Sequence, residues 1–203
     1  MVTCILVYSP AISLALDNID IYLSGYVQES IPSESHKNMR LNGRPVQQVS
    51  IGDGLGGGLK VGLYPDFTNR VVGVELEYGG FDGDLSFQQA GSVRKSNANL
   101  VILYSMVNLI VRYPHKRVRP YIGLGVGSVN GLLLNAKIPG RKDKALESAI
   151  AFGHQFLTGL QVNVHENVFL FGEYKYLNAN FHWRQISVDF RSQHVIGGIG
   201  VLF

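Results

Sequence analysis

The sequence predicts an all-β fold, an eight-stranded antiparallel up-and-down transmembrane β-barrel. Three observations carry this prediction: apolar residues recur at every second position, tight and long joins alternate along the chain, and the chain finishes in a strand-like stretch on Phe203. Of the 203 residues, 46% are hydrophobic, 24 are glycine and only 16% are charged. Average soluble proteins have about a quarter charged residues. This chain has fewer, so its apolar residues must do more than fill one small core.

Eight segments carry the alternation, and no stretch shows a convincing helical repeat. Segments of about ten residues suit a tilted strand that crosses a membrane. Outside the N-terminus no run of about 18 apolar residues occurs, which excludes a helical membrane protein. The predicted strands cover residues 19–29, 54–64, 70–80, about 98–112, 118–129, about 149–164, 167–177 and 194–203.

The two faces of these segments differ in composition. One face carries Val, Leu, Ile or aromatic residues, and the other collects Gly, Ser, Asn and the mid-strand charges. Soluble outward faces are usually rich in Lys, Glu and Thr, whereas a glycine-lined face suits the interior of a narrow eight-stranded barrel. The apolar face is therefore predicted to meet lipid. The charges predicted to pair with one another in a packed polar lumen are Lys60, Glu75, Glu77, Arg112, Glu173 and Lys175.

Join lengths and aromatic positions support a membrane barrel. Joins near 65–69, 113–117 and 164–167 are tight, and those near 30–48, 81–97, 130–148 and 178–187 are long. This asymmetry is typical of barrels with short turns on one side of the membrane. Aromatic residues are predicted to form interfacial girdles, with Tyr64, Phe67, Tyr113 and Phe203 at the short turns and Tyr78, Phe81, Phe152, Phe181 and Trp183 at the long-loop end.

The first residues differ from the rest. An apolar stretch ends at Ser13-Leu14-Ala15, a small-x-small pattern that suits signal peptidase, but a basic region is absent before it. Residues 1–15 are therefore predicted to be a truncated signal peptide, and 16–203 a single barrel domain; the alternative is a buried first strand. Cys4, the one cysteine, lies in this segment, so the mature chain would have no disulfide or thiol chemistry.

Three stretches resemble a known family. They are "RVRPYIGLGVGSV" (117–129), "NVFLFGEYKYL" (167–177) and "HVIGGIGVLF" (194–203). In these stretches the chain resembles the small outer-membrane β-barrel proteins of Gram-negative bacteria, similar to the OmpA transmembrane domain and the opacity-protein group of the porin family. The resemblance implies a place in the outer membrane among its lipid and lipopolysaccharide. It also implies that the C-terminal strand, with Ile199, Val201 and Phe203, is the signal read by the barrel-assembly machinery.

Motifs for catalysis or cofactors are weak. "GDGLGG" at 52–57 fits G-x-G-x-x-G, but alternation follows it where a dinucleotide site needs a helix. The histidines lack metal-ligand spacing, so neither a metal nor a cofactor is predicted. Ser192 and His194 share a face, which would permit a nucleophile and a base, but Asp189 has the opposite parity. The preferred interpretation gives Ser192 and His194 a hydrogen-bonding role in the lumen.

A basic stretch at 136–144 is a candidate ligand-binding loop. Lys137, Arg141, Lys142 and Lys144 stand there against the single acid Asp143. Outside the cell this loop would bind lipopolysaccharide phosphates or an anionic host surface; the alternative is a solvated mobile loop. No basic strand with interleaved aromatics suggests nucleic acid.

These observations together predict a structural or surface-interaction protein with a packed polar lumen and without enzymatic activity. Three alternatives stay open. They are a narrow, low-conductance pore, a lipid-modifying outer-membrane enzyme and a soluble lipocalin-like carrier. The sequence does not identify a host or cell-surface ligand.

Overall fold

The computed structural model describes residues 18–32, 40–41, 44–45, 49–51, 53–88, 95–134, 146–183 and 186–203. The predicted signal segment 1–15 lies outside this part of the chain. No helix among the described residues is long and apolar enough to cross a membrane. The eight long strands are β1 (Ile19–Pro32), β2 (Gly54–Pro65), β3 (Val72–Gln88), β4 (Lys95–Arg112), β5 (Val118–Leu134), β6 (Leu146–Asn163), β7 (Val168–Trp183) and β8 (Ile186–Leu202).

These strands close into a barrel. Each long strand pairs antiparallel with the next along the chain, and β8 pairs antiparallel with β1. At this seam Leu23 lies opposite Val201, and Tyr26 lies opposite Gly198. The predicted fold class, an eight-stranded antiparallel up-and-down barrel, is therefore confirmed.

The apolar face of each strand points outward, as predicted. Val27 is 72% exposed, Leu55 74% and Leu124 65%, whereas their strand neighbours on the opposite parity are buried. An outer surface of this composition stabilises a protein in lipid and would be unfavourable in water. This arrangement is the reverse of a soluble lipocalin-like carrier, which keeps its apolar face inside.

Aromatic rings lie over the glycines that line the inside. A side chain at Gly58 or Gly79 would collide with the hydroxyl of Tyr26, at 2.4 and 2.3 Å from its Cβ position. A Cβ at Gly198 would likewise meet the ring of Phe171 at 2.4 Å. Glycine on one strand thus makes room for a large ring from its neighbour, which is how eight strands enclose a filled interior.

The strands are longer than the sequence indicated, mainly at the end opposite the short turns. β3 continues to Gln88 and pairs there with Lys95, and β8 begins at Ile186, eight residues before the predicted start at 194. The long joins predicted near 81–97 and 178–187 are therefore wrong in extent. Beyond the hydrocarbon the outward face no longer has to be apolar. Alternation continues in "FDGDLSFQ" (81–88) and "ISVDFRSQ" (186–193), but the apolar residues there have the inward parity, which breaks the pattern of the lipid-facing segments.

The connection between β1 and β2 remains long and contains three short strands. Arg40–Leu41 pairs with the start of β8 and with Arg44–Pro45, and Val49–Ile51 pairs with β3. At the other end the turn between β2 and β3 contains a single 3-10 turn, Asp66–Thr68. The predicted contrast between the two barrel ends therefore holds for this connection and for the one between β5 and β6, residues 135–145.

The aromatic girdles are confirmed in part. Phe67, Tyr113 and Phe203 are exposed at the short-turn end, and Tyr78 and Phe152 are exposed on the outside nearer the other end. Two assignments were wrong, because Tyr64 and Phe81 have the inward parity and are only 4% and 6% exposed. Their rings pack with other rings in the lumen. The side chains of Phe181 and Trp183 lie outside the described part.

The C-terminal residue takes part in closing the seam. The Phe203 N–H donates a hydrogen bond of 2.9 Å to the Ile21 carbonyl, and the Leu202 N–H donates one of 2.8 Å to the Asn167 carbonyl. The Phe203 ring points outward and is 65% exposed. Its backbone thus extends the β1–β8 pairing, while its ring faces the membrane interface.

Replacing Phe203 with Asp should impair assembly in cells more than it lowers the stability of the folded barrel. The backbone bond to Ile21 is retained in this variant, whereas the ring that the assembly machinery is expected to read is lost. We expect surface levels to fall severalfold and the refolding yield in detergent micelles to change little.

Phe67→Asp is the matched control, because Phe67 is an 88% exposed aromatic at the same barrel end. Equal surface levels for wild type and Phe203→Asp would contradict the role of Phe203 as a signal. An equal loss in both variants would indicate a general interfacial effect.

Candidate functional site

The lumen contains a cluster of buried charges at mid-height, which is the candidate functional site. Each of the six predicted lumen charges points inward, and none is more than 5% exposed. Five of them form one network, called here the charged plug. Its members are Lys60, Glu75, Glu77, Glu173 and Lys175.

Lys60 joins two strands across the interior. Its Nζ lies 2.7 Å from Oε2 of Glu173 on β7 and 3.4 Å from Oε1 of Glu75 on β3. Tyr121 donates a further hydrogen bond of 2.8 Å to the same Glu173 oxygen, and Tyr22 donates one to Glu75. One ammonium thus serves two carboxylates that are shielded from water, and the two tyrosine hydroxyls supply further donors to them. Oε1 of Glu173 has no hydrogen-bonding partner among the described residues.

Lys175 and Glu77 form the second ion pair. The Lys175 ammonium contacts Oε1 of Glu77, and both side chains are fully buried. Tyr26 donates a hydrogen bond of 2.7 Å to the same oxygen and lies 2.7 Å from the hydroxyl of Tyr104. Tyrosine hydroxyls thus surround the second pair as they do the first.

Two amides connect the ion pairs. Asn108 Nδ2 donates to Oε1 of Glu75 at 2.8 Å and to Oε2 of Glu77 at 3.1 Å. Gln155 Nε2 donates to the same Glu77 oxygen at 2.8 Å and to Oδ1 of Asn108 at 2.7 Å. The charged plug and these amides therefore form one continuous hydrogen-bonded layer across the barrel.

Arg112 does not belong to this layer, which corrects the expectation that all six charges pair together. Its Nη2 lies 2.7 Å from Oδ2 of Asp20, and its Nε donates to the Arg70 carbonyl at 2.8 Å. Its guanidinium stacks 3.5 Å from the centre of the Tyr64 ring. Arg112 is the last residue of β4, so its side chain reaches the short-turn mouth and not the middle of the lumen.

The space left beside the charged plug is small. A cavity of about 20 Å³ lies on its short-turn side, bordered by Ser24, Lys60, Glu75, Tyr121 and Gln161 among others. A water molecule requires roughly 10–15 Å³ on this measure, so the cavity has room for about one. Ser24 borders this space, and its Oγ has no hydrogen-bonding partner in the described part of the chain.

Apolar side chains fill the lumen on both sides of the layer. The cluster toward the longer strand ends includes Phe81, Ile102, Met106, Val129 and Phe190. The cluster toward the short turns contains Tyr22, Tyr26, Tyr64, Ile110, Leu157, Phe169, Phe171 and Ile196. The charged plug is thus enclosed between two packed layers.

Ser192 and His194 are both buried in the lumen. Ser192 Oγ lies 2.7 Å from Ser30 Oγ, and the ring of His194 packs edge-on against Phe81 at 4.8 Å between centroids. Neither nitrogen of His194 has a hydrogen-bonding partner in the described part of the chain. His194 is therefore not placed to take a proton from Ser192, and the side chain of Asp189 lies outside the described part.

The other predicted site residues lie at the barrel ends. Ile199, Val201 and Phe203 all face outward on β8 or just after it. Lys137, Arg141, Lys142 and Lys144 lie outside the described residues, between the end of β5 and the start of β6.

Sequence reasoning missed two kinds of partner. Asp20, which pairs with Arg112, has the inward parity of Tyr22 and Tyr26, but it stands at a strand end and was not counted with the mid-strand charges. Gln155 is uncharged and was not among the predicted lumen charges, although it donates hydrogen bonds to both Glu77 and Asn108. Parity alone would have placed Asp20 inside; only the barrel closure shows which residue Gln155 meets.

The family follows from comparison with known proteins. Residues 11–197 match the family described as outer membrane protein beta-barrel domain. The chain belongs to this family. No curated protein sequence matches it. As a member of the outer membrane β-barrel family, the protein is located in the outer membrane of a Gram-negative bacterium.

Solved structures show the same fold at low sequence identity. The outer membrane protein OprG from Pseudomonas aeruginosa is 16% identical with a TM-score of 0.62, over 91% of this chain and 95% of that chain. Neisserial surface protein A is 15% identical with a TM-score of 0.57, over 91% and 97%. The outer membrane protein AlkL is 16% identical with a TM-score of 0.53, over 92% and 90%.

Lys60 and Glu173 should be strongly coupled in a double-mutant cycle of Lys60→Met and Glu173→Gln. Lys60→Met leaves two carboxylates buried without their cation, and loss of a buried partner typically costs about 3–5 kcal/mol. Glu173→Gln leaves Lys60 with its second partner, Glu75. We expect a coupling free energy above the roughly 0.2–1 kcal/mol of exposed pairs, measured by urea unfolding in lipid with heat-modifiable gel mobility as the readout.

The control cycle uses Arg70 and Asp66, an ion pair of 2.7 Å whose side chains are 41% and 50% exposed. Similar coupling in the two cycles would show that the lumen pair is effectively solvated, and that the interior is not closed as described.

Proposed function

We propose that the protein is a structural and surface-interaction component of the outer membrane, with a barrel that is closed to solute flow. The observation that carries this proposal is the continuous layer formed by the charged plug with its tyrosines and amides. An open channel needs a water-filled path along the axis, and the lumen contains paired charges and packed rings there.

The layer is anchored all around the wall. Seven of the eight strands contribute a side chain to the layer. Among the described residues, β8 contributes none to the hydrogen bonds of this layer. Contributing groups are Tyr22 and Tyr26 on β1, Lys60 on β2, Glu75 and Glu77 on β3, Tyr104 and Asn108 on β4, Tyr121 on β5, Gln155 on β6, and Glu173 and Lys175 on β7. Opening a path would require several of these contacts to break together, which argues against the narrow-pore alternative.

The barrel should not conduct ions unless the layer is removed. Wild-type protein in a planar bilayer is expected to give no discrete conductance steps. The double variant Glu77→Ala with Lys175→Ala removes both charges of one pair and its bulk, so we expect steps to appear.

Leu59→Ala with Tyr174→Ala is the matched control, because both side chains are exposed on the outer face. This control should give no conductance steps. Steps of equal size in wild type and in the lumen variant would support a pore and contradict the proposal.

The surface interaction is assigned to the basic stretch with Lys137, Arg141, Lys142 and Lys144. β5 begins at a short turn and ends at Leu134, so the stretch follows at the opposite end of the barrel. In barrels of this kind the short turns face the periplasm, which places the other end outside the cell. The supporting argument is charge: four cations against one acid complement the phosphates of lipopolysaccharide.

Binding to lipopolysaccharide should depend on this stretch. The variant Arg141→Gln with Lys142→Gln is expected to weaken binding of purified lipopolysaccharide, most clearly at low ionic strength, because surface charge attraction is screened by salt. The measurement is titration of the refolded barrel with labelled lipopolysaccharide.

Lys116→Gln with Arg117→Gln removes the same two residue types from a short turn at the other end. Retained binding in this control, together with loss in the first variant, supports the proposal. Equal loss in both would indicate attraction by net charge, and no loss would contradict a role for the basic stretch.

A further inference from the structure

Two arginines at the short-turn mouth each leave one nitrogen without a partner. Nη1 of Arg112 and Nη1 of Arg119 are both shielded from solvent and have no hydrogen-bonding partner among the described residues. Buried guanidinium groups normally use their donors on carboxylates, phosphates or carbonyls, because an unpaired buried donor is costly. Two such atoms at one place call for a common explanation.

The two arginines are neighbours on adjacent strands. Arg112 lies opposite Tyr121 in the pairing of β4 with β5, and Arg119 is two residues before Tyr121 on the same inward parity. The two guanidinium groups are near enough to repel each other. Asp20 acts on both guanidinium groups but offsets this repulsion only in part.

Among the described residues, only one of them has a carboxylate within ion-pair distance. Arg112 binds Asp20, which also lies 2.9 Å from Nη1 of Arg70. Arg119 uses its Nε on the carbonyl of His115 at 2.9 Å, and Asp20 attracts it only from farther away. Since Asp20 and Asp66 are the carboxylates that face these three guanidinium groups in the described part of the chain, an excess of positive charge remains.

The residues around the two arginines add positive charge, and the rim of the short-turn mouth is partly exposed to solvent. Lys116 is exposed in the turn that leads to Arg119. At the rim, Asp20 is 18% exposed and Arg70 41%, so the mouth is open to solvent on that side. Exposed Tyr113 and Phe203 mark the membrane interface at the same end, which is the depth of lipid phosphates.

We propose that Arg112 and Arg119 form a phosphate-binding site in the short-turn mouth of the barrel. The two Nη1 groups donate to oxygens of one phosphate, which compensates Arg119 and removes the repulsion between the two guanidinium groups. The phosphate belongs either to inorganic phosphate or to the headgroup of an anionic phospholipid. This site is separate from the basic stretch proposed above for the opposite end.

The first test is titration of the full refolded barrel, in zwitterionic detergent, with inorganic phosphate observed by ³¹P NMR. Arg119→Gln removes one donor pair and should weaken binding roughly tenfold, as expected for loss of a charge-assisted hydrogen bond. Arg119→Lys keeps the charge and should bind with intermediate strength. Heat-modifiable gel mobility verifies that each variant is folded.

Arg117→Gln is the matched control, since it removes the same charge from the same turn at an exposed position. It should bind phosphate as wild type does. Equal weakening in Arg117→Gln and Arg119→Gln would show a diffuse surface effect and overturn the proposal.

The second arm identifies the source of the phosphate. The thermal midpoint of the barrel is compared in phosphatidylcholine vesicles with and without phosphatidylglycerol, for wild type, Arg119→Gln and Arg117→Gln. If phosphatidylglycerol raises the thermal midpoint of wild type and Arg117→Gln but not of Arg119→Gln, the site binds lipid. Binding of inorganic phosphate without this rise assigns it to the free anion. If Arg119→Gln changes neither the binding of inorganic phosphate nor the effect of phosphatidylglycerol, the proposal is wrong.

Discussion

Pairing of β1 with β8 is the constraint on which the rest of this structure depends. Within hydrocarbon a backbone N–H or carbonyl without a partner costs several kcal/mol, so a sheet with two open edges is unstable there. The seam runs from Tyr22 opposite Leu202 to Pro32 opposite Ser192, and Phe203 adds one more backbone bond to Ile21. Closure fixes which residues face inward on all eight strands. The apolar exterior and the polar interior are two consequences of the same geometry.

Once the barrel is closed, eight strands leave an interior just wide enough for side chains, and packing decides how it is filled. Tyr26 is accommodated because Gly58 and Gly79 offer no side chain beneath its hydroxyl. That position allows it to donate to Glu77, which also binds Lys175. Glycine spacing in the wall and charge pairing in the lumen are thus linked. A barrel filled in this manner is packed at mid-height, and the interactions that we propose with other molecules are therefore at its two ends.

The sequence was most informative where lipid imposes a pattern and least informative elsewhere. Mid-strand faces were predicted correctly because most of the outward residues there are apolar, as contact with lipid requires. The strand ends were not, since beyond the hydrocarbon the apolar residues of β3 and β8 change to the inward parity, while pairing with the neighbouring strands continues. The inward positions of Tyr64 and Phe81 show a related error: an aromatic near a strand end suits the interface and the lumen equally well, and only its parity distinguishes them.

The sequence by itself determined the fold class, the inward and outward faces, and the charges that enter the lumen, because period-two alternation follows from local strand geometry. Only the tertiary structure decided which charges meet. Lys60 and Glu173 are distant in the chain and not on adjacent strands, and their contact depends on barrel width and on the stagger between strands. The same factors separate Arg112 from the charged plug and direct it toward Asp20 and Arg119. Stagger arises from how all the strands tilt together, so it cannot be deduced from any one segment.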